Sequence, residues 1–379
     1  MSVADFNKLL DGINKQYGGQ RIVRAKGCKS IERIRRLPTG MFAYDLMSGG
    51  GTPMGRMTVY KGGESAGKTA LAIKSAAAFQ RTCRNCLKPI YEWDEIHMTK
   101  TPIRCCKSPE PMRVVWFDAE NSWENFWSER LGMDTANTFV IKTEFAEQGI
   151  DVADSVIRSG ECDLLVVDSV AALTPSVEIE QSSEKQQMGV HARLMNKAMR
   201  KWTSAQNAPG LDVPLICTVI LINQVRQNLS GYGSPETTPG GKGIGFHASI
   251  IGKAKRTDTL LDASERPIGH ALEMYFEKNK TSPPRRTAAI KLFFVDHGEQ
   301  APGSTDYAEQ VGRYASFWNL IQQSGSWFEL AKDVKVQGID KVGQYLAEKE
   351  HAPLLKKLAA EIWKLELGWR DGTALDETA

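Results

Sequence analysis

Neither charge sign prevails in this 379-residue chain: 48 Lys and Arg stand against 45 Asp and Glu, a formal net charge of +3. That balance excludes a whole-surface coat for a polyanion, so any nucleic-acid surface must be local. No apolar run reaches the ~20 residues that cross a bilayer, so no membrane partner is expected. The opening MSVADFNKLLDG has neither the basic start nor the apolar stretch of a secretion signal, and the expected location is the cytoplasm. Internal repeats and low-complexity tracts are missing. Cysteines are few and odd in number, seven with four of them clustered, which speaks for reduced thiols or a metal rather than a disulfide framework. With 41% hydrophobic and 25% charged residues, the chain has the composition of a globular protein with one large core and small satellites.

Gly62 to Thr69 read GGESAGKT, a G-x-x-x-x-G-K-[ST] pattern. The β-favouring run Met57-Thr58-Val59-Tyr60 precedes it, and a breaker-free helical run from Ala70 to Phe79 follows. Strand, glycine-rich turn and helix in that order separate a phosphate loop from a glycine-rich surface turn. Backbone N–H groups of Gly62, Gly63, Glu64, Ser65, Ala66 and Gly67 then converge on phosphates at a helix N-terminus. Lys68 reaches the outer phosphates, and the Thr69 hydroxyl holds Mg²⁺. ATP and Mg²⁺ are the expected cofactors.

Further apolar runs, Val114 to Phe117, Leu164 to Val167 and Leu215 to Ile222, alternate with helical ones. Strands so nearly continuous in apolar residues are buried on both faces, which predicts an α/β fold with a mostly parallel sheet covered by helices. Ala271 to Phe276 and Ala288 to Val295 flank Pro283-Pro284 and read as a hairpin-like extension. Strand ends supply the rest of an ATPase. DLLVVDSVAAL (163–173) presents Asp168, a carboxylate that can hold Mg²⁺ through water. VVWFDAEN (114–121) presents Glu120, which either orients the attacking water or caps a helix. Gln224 offers an amide that can bind a γ-phosphate without titrating. Lys68, Glu120, Asp168 and Gln224 thus meet at one sheet edge, where such folds bind ligands.

The strings GINKQYG (12–18), GGESAGKT, FDAEN (117–121), VVDSVAALTP (166–175), MGVHARLMNKAMRK (188–201), LINQVRQ (221–227), PETTPGG (235–241) and EKNK (277–280) are colinear. In order and spacing the chain resembles the bacterial and phage RecA recombinase family, from about residue 5 to about residue 365. The resemblance implies an N-terminal polymerisation helix and strand (1–36), a RecA-like P-loop ATPase core (37–300), a small C-terminal α/β domain (301–365) and a polar tail (366–379). It implies a DNA-dependent ATPase that forms head-to-tail helical filaments on single-stranded DNA, pairs it with homologous duplex DNA and exchanges strands. By the same likeness Glu120 activates water, Gln224 links the γ-phosphate to a DNA loop, and Trp127 stacks on adenine with Glu124 beside it. Lys278 and Lys280 match a lysine pair that reaches the neighbouring protomer's ATP; taken alone, EKNK reads as a solvated turn. A ring-forming RecA-like helicase or repair ATPase with a zinc module is the alternative on the same core, and PETTPGG speaks against it.

Two polar segments, Ser176 to Gln187 and Gln227 to Gly241, are ill suited to a core, and each follows a strand that carries ATPase residues. The likeness makes them the DNA-gripping loops. Arg193, Arg200 and Arg226 then contact phosphates with the N–H groups of Gly240 and Gly241, and Tyr232, Glu236, Thr237 and Thr238 complete the second loop. Lys332, Lys335 and Lys341 are candidates for duplex DNA. Val3, Phe6, Leu9, Leu10, Ile13 and Tyr17 form one helical stripe, which packs on its own core or docks on the next subunit.

RTCRNCLKPIYEWDEIHMTKTPIRCCKSPEP (81–111) departs from the family pattern. Cys83, Cys86, Cys105 and Cys106 fit tetrahedral Zn²⁺, with His97 an alternative fourth ligand; the other reading is a reduced, thiol-rich loop. Without metal, so few apolar residues leave little to order it. Cys162 and Cys217 read as core residues.

Overall fold

Period-two alternation divides the central strands between two cores. In Leu164–Asp168, Leu164 and Val166 enter one hydrophobic cluster while Leu165 and Val167 enter the other, all four fully buried. The computed structural model describes residues 2–18, 22, 34–180, 189–208, 216–227, 236–331 and 334–368. Its main sheet has eight strands: β1 (Met57–Gly62), β2 (Val114–Asp118), β3 (Thr138–Ile141), β4 (Leu164–Asp168), β5 (Thr218–Gln224), β6 (Ile250–Leu261), β7 (Pro267–Asn279) and β8 (Thr287–Phe293). Their order is β8-β7-β6-β1-β5-β4-β2-β3. From β6 to β3 all neighbours run parallel, and β7 and β8 add an antiparallel extension. The expected parallel α/β sheet and its hairpin are present. The edge strand β3, which reads TFVI, and the long β6, polar through its middle, were not among the expected strands.

Helices cover both faces. α1 is Val3–Tyr17, α2 Phe42–Ser48, α3 Lys68–Gln80, α4 Asn125–Arg130, α5 Ala146–Arg158, α6 Val190–Asn207 and α7 Lys242–His247. Buried residues of α2 and α3 join one cluster; those of α5 and α6 join the other. Beyond residue 300 come α8 (Tyr307–Phe317), a three-stranded antiparallel sheet, α9 (Ile339–Ala347) and α10 (Ala352–Trp363). The Phe42 ring of α2 meets Tyr307, Tyr314 and Trp363 edge-on at 5.3, 6.0 and 6.4 Å, so these helices share the first core. Among the described residues no helix is long and apolar enough to cross a membrane.

The expected N-terminal helix forms, with a capping box between Ser2 and Asp5. Its stripe is not covered by its own core: Phe6, Leu9 and Tyr17 remain 46%, 50% and 64% exposed. Both expected loops are partly regular. Ser176–Glu180 is helical, and Arg226–Gln227 pairs antiparallel with Glu236–Thr237. The cysteine-rich segment holds a hairpin, Tyr91–Asp94 against Thr99–Pro102, because Ile96 at its turn is buried in the first core. Tyr232, Lys332, Cys28, residues 181–188 and residues 369–379 lie outside the described residues.

Lys74 of α3 is buried, which pushes its pKa from 10.5 down to about 8 against the opposing pull of Glu95, 4.0 Å away. Between those values the unfolded chain binds the extra proton, so stability rises with pH across the window and that gain is lost as pH falls through about 8. Denaturant unfolding of Lys74→Met beside the parent should show the variant lacking a rise of up to about 3 kcal/mol over this range.

Candidate active site

β1 ends at Gly62 and α3 begins at Lys68, with Gly67 at φ 80° between them as N-cap. A Cβ on Gly67 would stand 2.6 Å from Leu272, so glycine is needed both for the turn and for the approach of β7. Lys68 Nζ donates to the Gly63 carbonyl at 2.5 Å. Burial lowers the Lys68 pKa, while the carboxylates of Glu120, Asp168 and Glu64 oppose the shift. Thr69 Oγ1 donates to Asp168 Oδ2 at 3.0 Å. Asp168 Oδ1 is buried without a hydrogen-bond partner among the described residues. Burial pushes Asp168 up to about 7; the Thr69 bond and Lys68 work against this, and Glu120 and Asp118 reinforce it. A buried, unsatisfied carboxylate oxygen beside a hydroxyl fits a hydrated divalent cation.

Along the same edge the strand ends line up. Gln224 Nε2 donates to Glu120 Oε1 at 2.8 Å, and Ser169 Oγ donates to the same oxygen at 2.9 Å. The N–H groups of Ala119 and Glu120 both donate to the Asp168 carbonyl, at 2.8 and 3.1 Å. Asp118, buried, accepts from the N–H groups of Ser122 and Trp123 at 2.9 and 3.3 Å and pairs with Lys142 at 3.4 Å. It thereby shapes the turn that carries Glu120. Glu120 is exposed and holds two side-chain donors rather than capping a helix. Asp118 and Ser169 were not singled out in the sequence; their only signal was adjacency to Glu120 and Asp168.

A cleft of about 400 Å³ opens beside the phosphate loop between Trp127, His270, Leu272 and Phe294. The Trp127 and Phe294 rings meet edge-on at 5.6 Å, and Phe294 meets His270 at 4.6 Å. His270 and Phe294 arrive from β7 and the end of β8, with no local motif to announce them. Glu124, expected at the nucleotide itself, is the N-cap of α4: its oxygens accept from Phe126 and Trp127 N–H at 2.9 and 2.6 Å. Its carboxylate serves to position Trp127.

The flanks of both loops are tied to this edge. Asn223 Nδ2 donates to the Pro239 carbonyl at 2.9 Å, and Val225 N–H to the Gly62 carbonyl at 3.1 Å. His191 Nε2 lies 3.0 Å from the Val170 carbonyl, two residues past Asp168. A Cβ on Gly241 would stand 3.2 Å from Ala192, so the exit of the second loop packs on the first turn of α6, next to exposed Arg193. Thr238 and Gly240 complete that exit. Arg200 is exposed two turns further along α6. Burial first, then the charges of Lys280, Arg200 and Lys278, hold the His247 pKa below its ordinary value. Lys278 and Lys280 donate to the last carbonyls of α7: Lys278 to Gly245 at 2.6 Å and Lys280 to Phe246 at 3.2 Å. Of the other candidates, Lys335 pairs with Glu329 at 3.2 Å and Lys341 is exposed.

The four sulfurs of Cys83, Cys86, Cys105 and Cys106 all lie within 4.8 Å of one another. Cys83 Sγ is 3.7 Å from Cys106 Sγ, which is 3.9 Å from Cys105 Sγ. Zn–S bonds of about 2.3 Å in a tetrahedron place sulfurs about 3.8 Å apart, so the four thiols fit the ion. Burial resists ionisation of Cys83, yet backbone N–H groups near it draw its pKa below the ordinary value. His97 is not among these ligands. Its Nδ1 is 2.7 Å from Asp94 Oδ2 and its Nε2 3.1 Å from Glu299 Oε2, so two carboxylates occupy the ring nitrogens. Cys162 and Cys217 are buried with their sulfurs 3.7 Å apart.

Comparison with known proteins agrees with this geometry. The family model "RecA N-terminal domain" matches residues 4–88 and 105–298, leaving 89–104 outside the match. Protein RecA of Nautilia profundicola is 33% identical over 353 residues, 92% of this chain and 88% of its own length. Protein RecA of Nitratiruptor sp. is 34% identical over 354 residues, 92% and 90% of the two chains. That of Cutibacterium acnes is 33% identical over 339 residues, 89% and 85%. With a phosphate loop, an acid at each of two neighbouring strand ends and this extent of likeness, the chain belongs to the RecA family and is a DNA-dependent ATP hydrolase.

Proposed function

We propose that this enzyme polymerises head to tail on single-stranded DNA, pairs it with homologous duplex DNA and exchanges strands. The observation that carries the reading is Gln224. Its side chain holds Glu120, while its strand continues into the second loop, whose exit Asn223 holds. A γ-phosphate that draws Gln224 away from Glu120 therefore shifts a loop flank at the same moment. Arg193 and Arg226, with the N–H groups of Gly240 and Gly241, take the DNA phosphates, and the first loop is coupled through His191. Homology is read by base pairing, so these contacts need no sequence preference.

ATP lies with its phosphates on Gly62 to Thr69 and its base in the cleft against Trp127. Thr69 and Asp168 are the residues that would hold Mg²⁺, which would neutralise charge on the phosphates. Glu120, oriented by Gln224 and Ser169, positions the attacking water for in-line displacement. Lys278 and Lys280 act on a neighbour's nucleotide, which assembly supplies. Two surfaces support that assembly. Phe6, Leu9 and Tyr17 of the α1 stripe are exposed, and β3, paired on one side alone among the described residues, leaves Phe139 and Val140 62% and 39% exposed. The work of such an enzyme places it in the cytoplasm. The four thiols of Cys83, Cys86, Cys105 and Cys106 would hold a zinc ion.

Glu120→Gln should bind ATP as the parent does and lose at least about 100-fold in DNA-stimulated hydrolysis; unchanged turnover removes the residue from this role. Electron microscopy with single-stranded DNA and a slowly hydrolysed ATP analogue should show helical filaments, shortened or lost when Phe6 and Leu9 become Asp. Closed rings instead of filaments count against the reading. Metal analysis should find about one zinc per chain, lost in a Cys83→Ser, Cys86→Ser variant. A metal-free parent rejects that site.

A further inference from the structure

The hairpin of residues 89–104, outside the family match, is keyed into the ATPase rather than displayed from it. Its Glu95 Oε1 accepts from Arg81 Nη1 at 2.9 Å, just past the end of α3. Glu95 Oε2 makes no hydrogen bond among the described residues and faces Lys74 Nζ at 4.0 Å. The Lys74 ammonium is buried on the phosphate-loop helix, and its one described hydrogen-bond partner is the Met98 sulfur, 3.6 Å away on the same hairpin. Trp93 lies beneath the Arg81 guanidinium at 4.5 Å. Ile96 is 3% exposed, and its carbonyl accepts from Ala301 N–H at 3.0 Å. A Cβ on Gly40 would fall 2.0 Å from Glu95 Oε1, so the groove is shaped to admit this carboxylate. The hairpin's other end runs directly into the four thiols. One side of it therefore supplies a counter-charge to a buried ammonium, and the other adjoins four thiols able to hold a metal.

We infer that residues 89–104 form a metal-anchored brace whose Glu95, by neutralising the buried Lys74, fixes the phosphate-loop helix and so sets the affinity of the site for ATP. A buried ammonium left without its carboxylate relaxes by moving its helix or admitting water. α3 carries Lys68 and Thr69 at its first turn, so such movement is felt at the phosphates before it is felt at Glu120. Glu95 is a positioning residue in this scheme. Its anchoring rests on the zinc reading, whereas its pairing with Lys74 does not.

Glu95→Gln separates these contributions, since the amide oxygen can still accept from Arg81 while the charge facing Lys74 is gone. With single-stranded DNA present, the variant should keep its zinc, raise KM for ATP about tenfold and hold kcat within about twofold. Glu95→Asp should recover part of the loss. Lys74→Met in the Glu95→Gln background should restore KM, because no unpaired ammonium remains. An unchanged KM in Glu95→Gln, or no recovery in the double variant, overturns the brace. Should Glu95→Gln not fold, recovery of soluble, ATP-competent protein in the double variant supports the pairing, and its failure rejects it. Zinc removal by a zinc-selective chelator, with Mg²⁺ kept in excess, should raise KM in the parent and add nothing in Glu95→Gln; full additivity rejects the anchor. A parent without zinc also rejects the anchor, leaving the Glu95–Lys74 pairing to be judged by the variants alone.

Discussion

Gly62 pairs with Gln224 and Asp118 with Asp168 across the parallel ladder, so the central strands end in step at one edge of the sheet. That register makes a single row of the phosphate loop, Gln224, Asp168, Ser169 and Glu120. It places a strand-end amide where it can hold a carboxylate from two strands away. A parallel sheet is suited to this because successive strands all deliver their C-terminal ends to the same side. The segments that leave these ends stay close to the same edge, where Asn223 holds the Pro239 carbonyl and His191 meets the Val170 carbonyl.

Burial sets the electrostatics of the row. Burial first, then the nearby acids Glu120 and Asp118, raises the Asp168 pKa to about 7, and a cation bound beside it would oppose that shift. Burial lowers the Lys68 pKa, and the carboxylates of Glu120, Asp168 and Glu64 oppose that shift. Lys74 repeats the problem deeper in the same helix, with Glu95 as its answer. Each is a charge that is costly in isolation and useful once paired, because the pairing demands a defined position.

The cysteine-rich insertion shows how a segment with few apolar residues acquires structure. One buried isoleucine, one tryptophan under a guanidinium and one half-buried acid hold the hairpin against the core, and four thiols converge at its base. Tertiary contact thus holds one end of the hairpin, and a thiol cluster that could hold a metal ion lies at the other.

The sequence by itself determined the phosphate loop, the acid-bearing strand ends, the parallel α/β class and the cysteine cluster. All of these follow from spacing within one strand–turn–helix unit or from runs of apolar residues, which are local properties. Only the tertiary structure decided that Glu124 caps a helix, that His97 is held by carboxylates from two segments, and that His270 and Phe294 face Trp127. It also decided that Glu95 answers Lys74. Those pairings join residues whose partners depend on strand order and helix placement, and no local period carries that information.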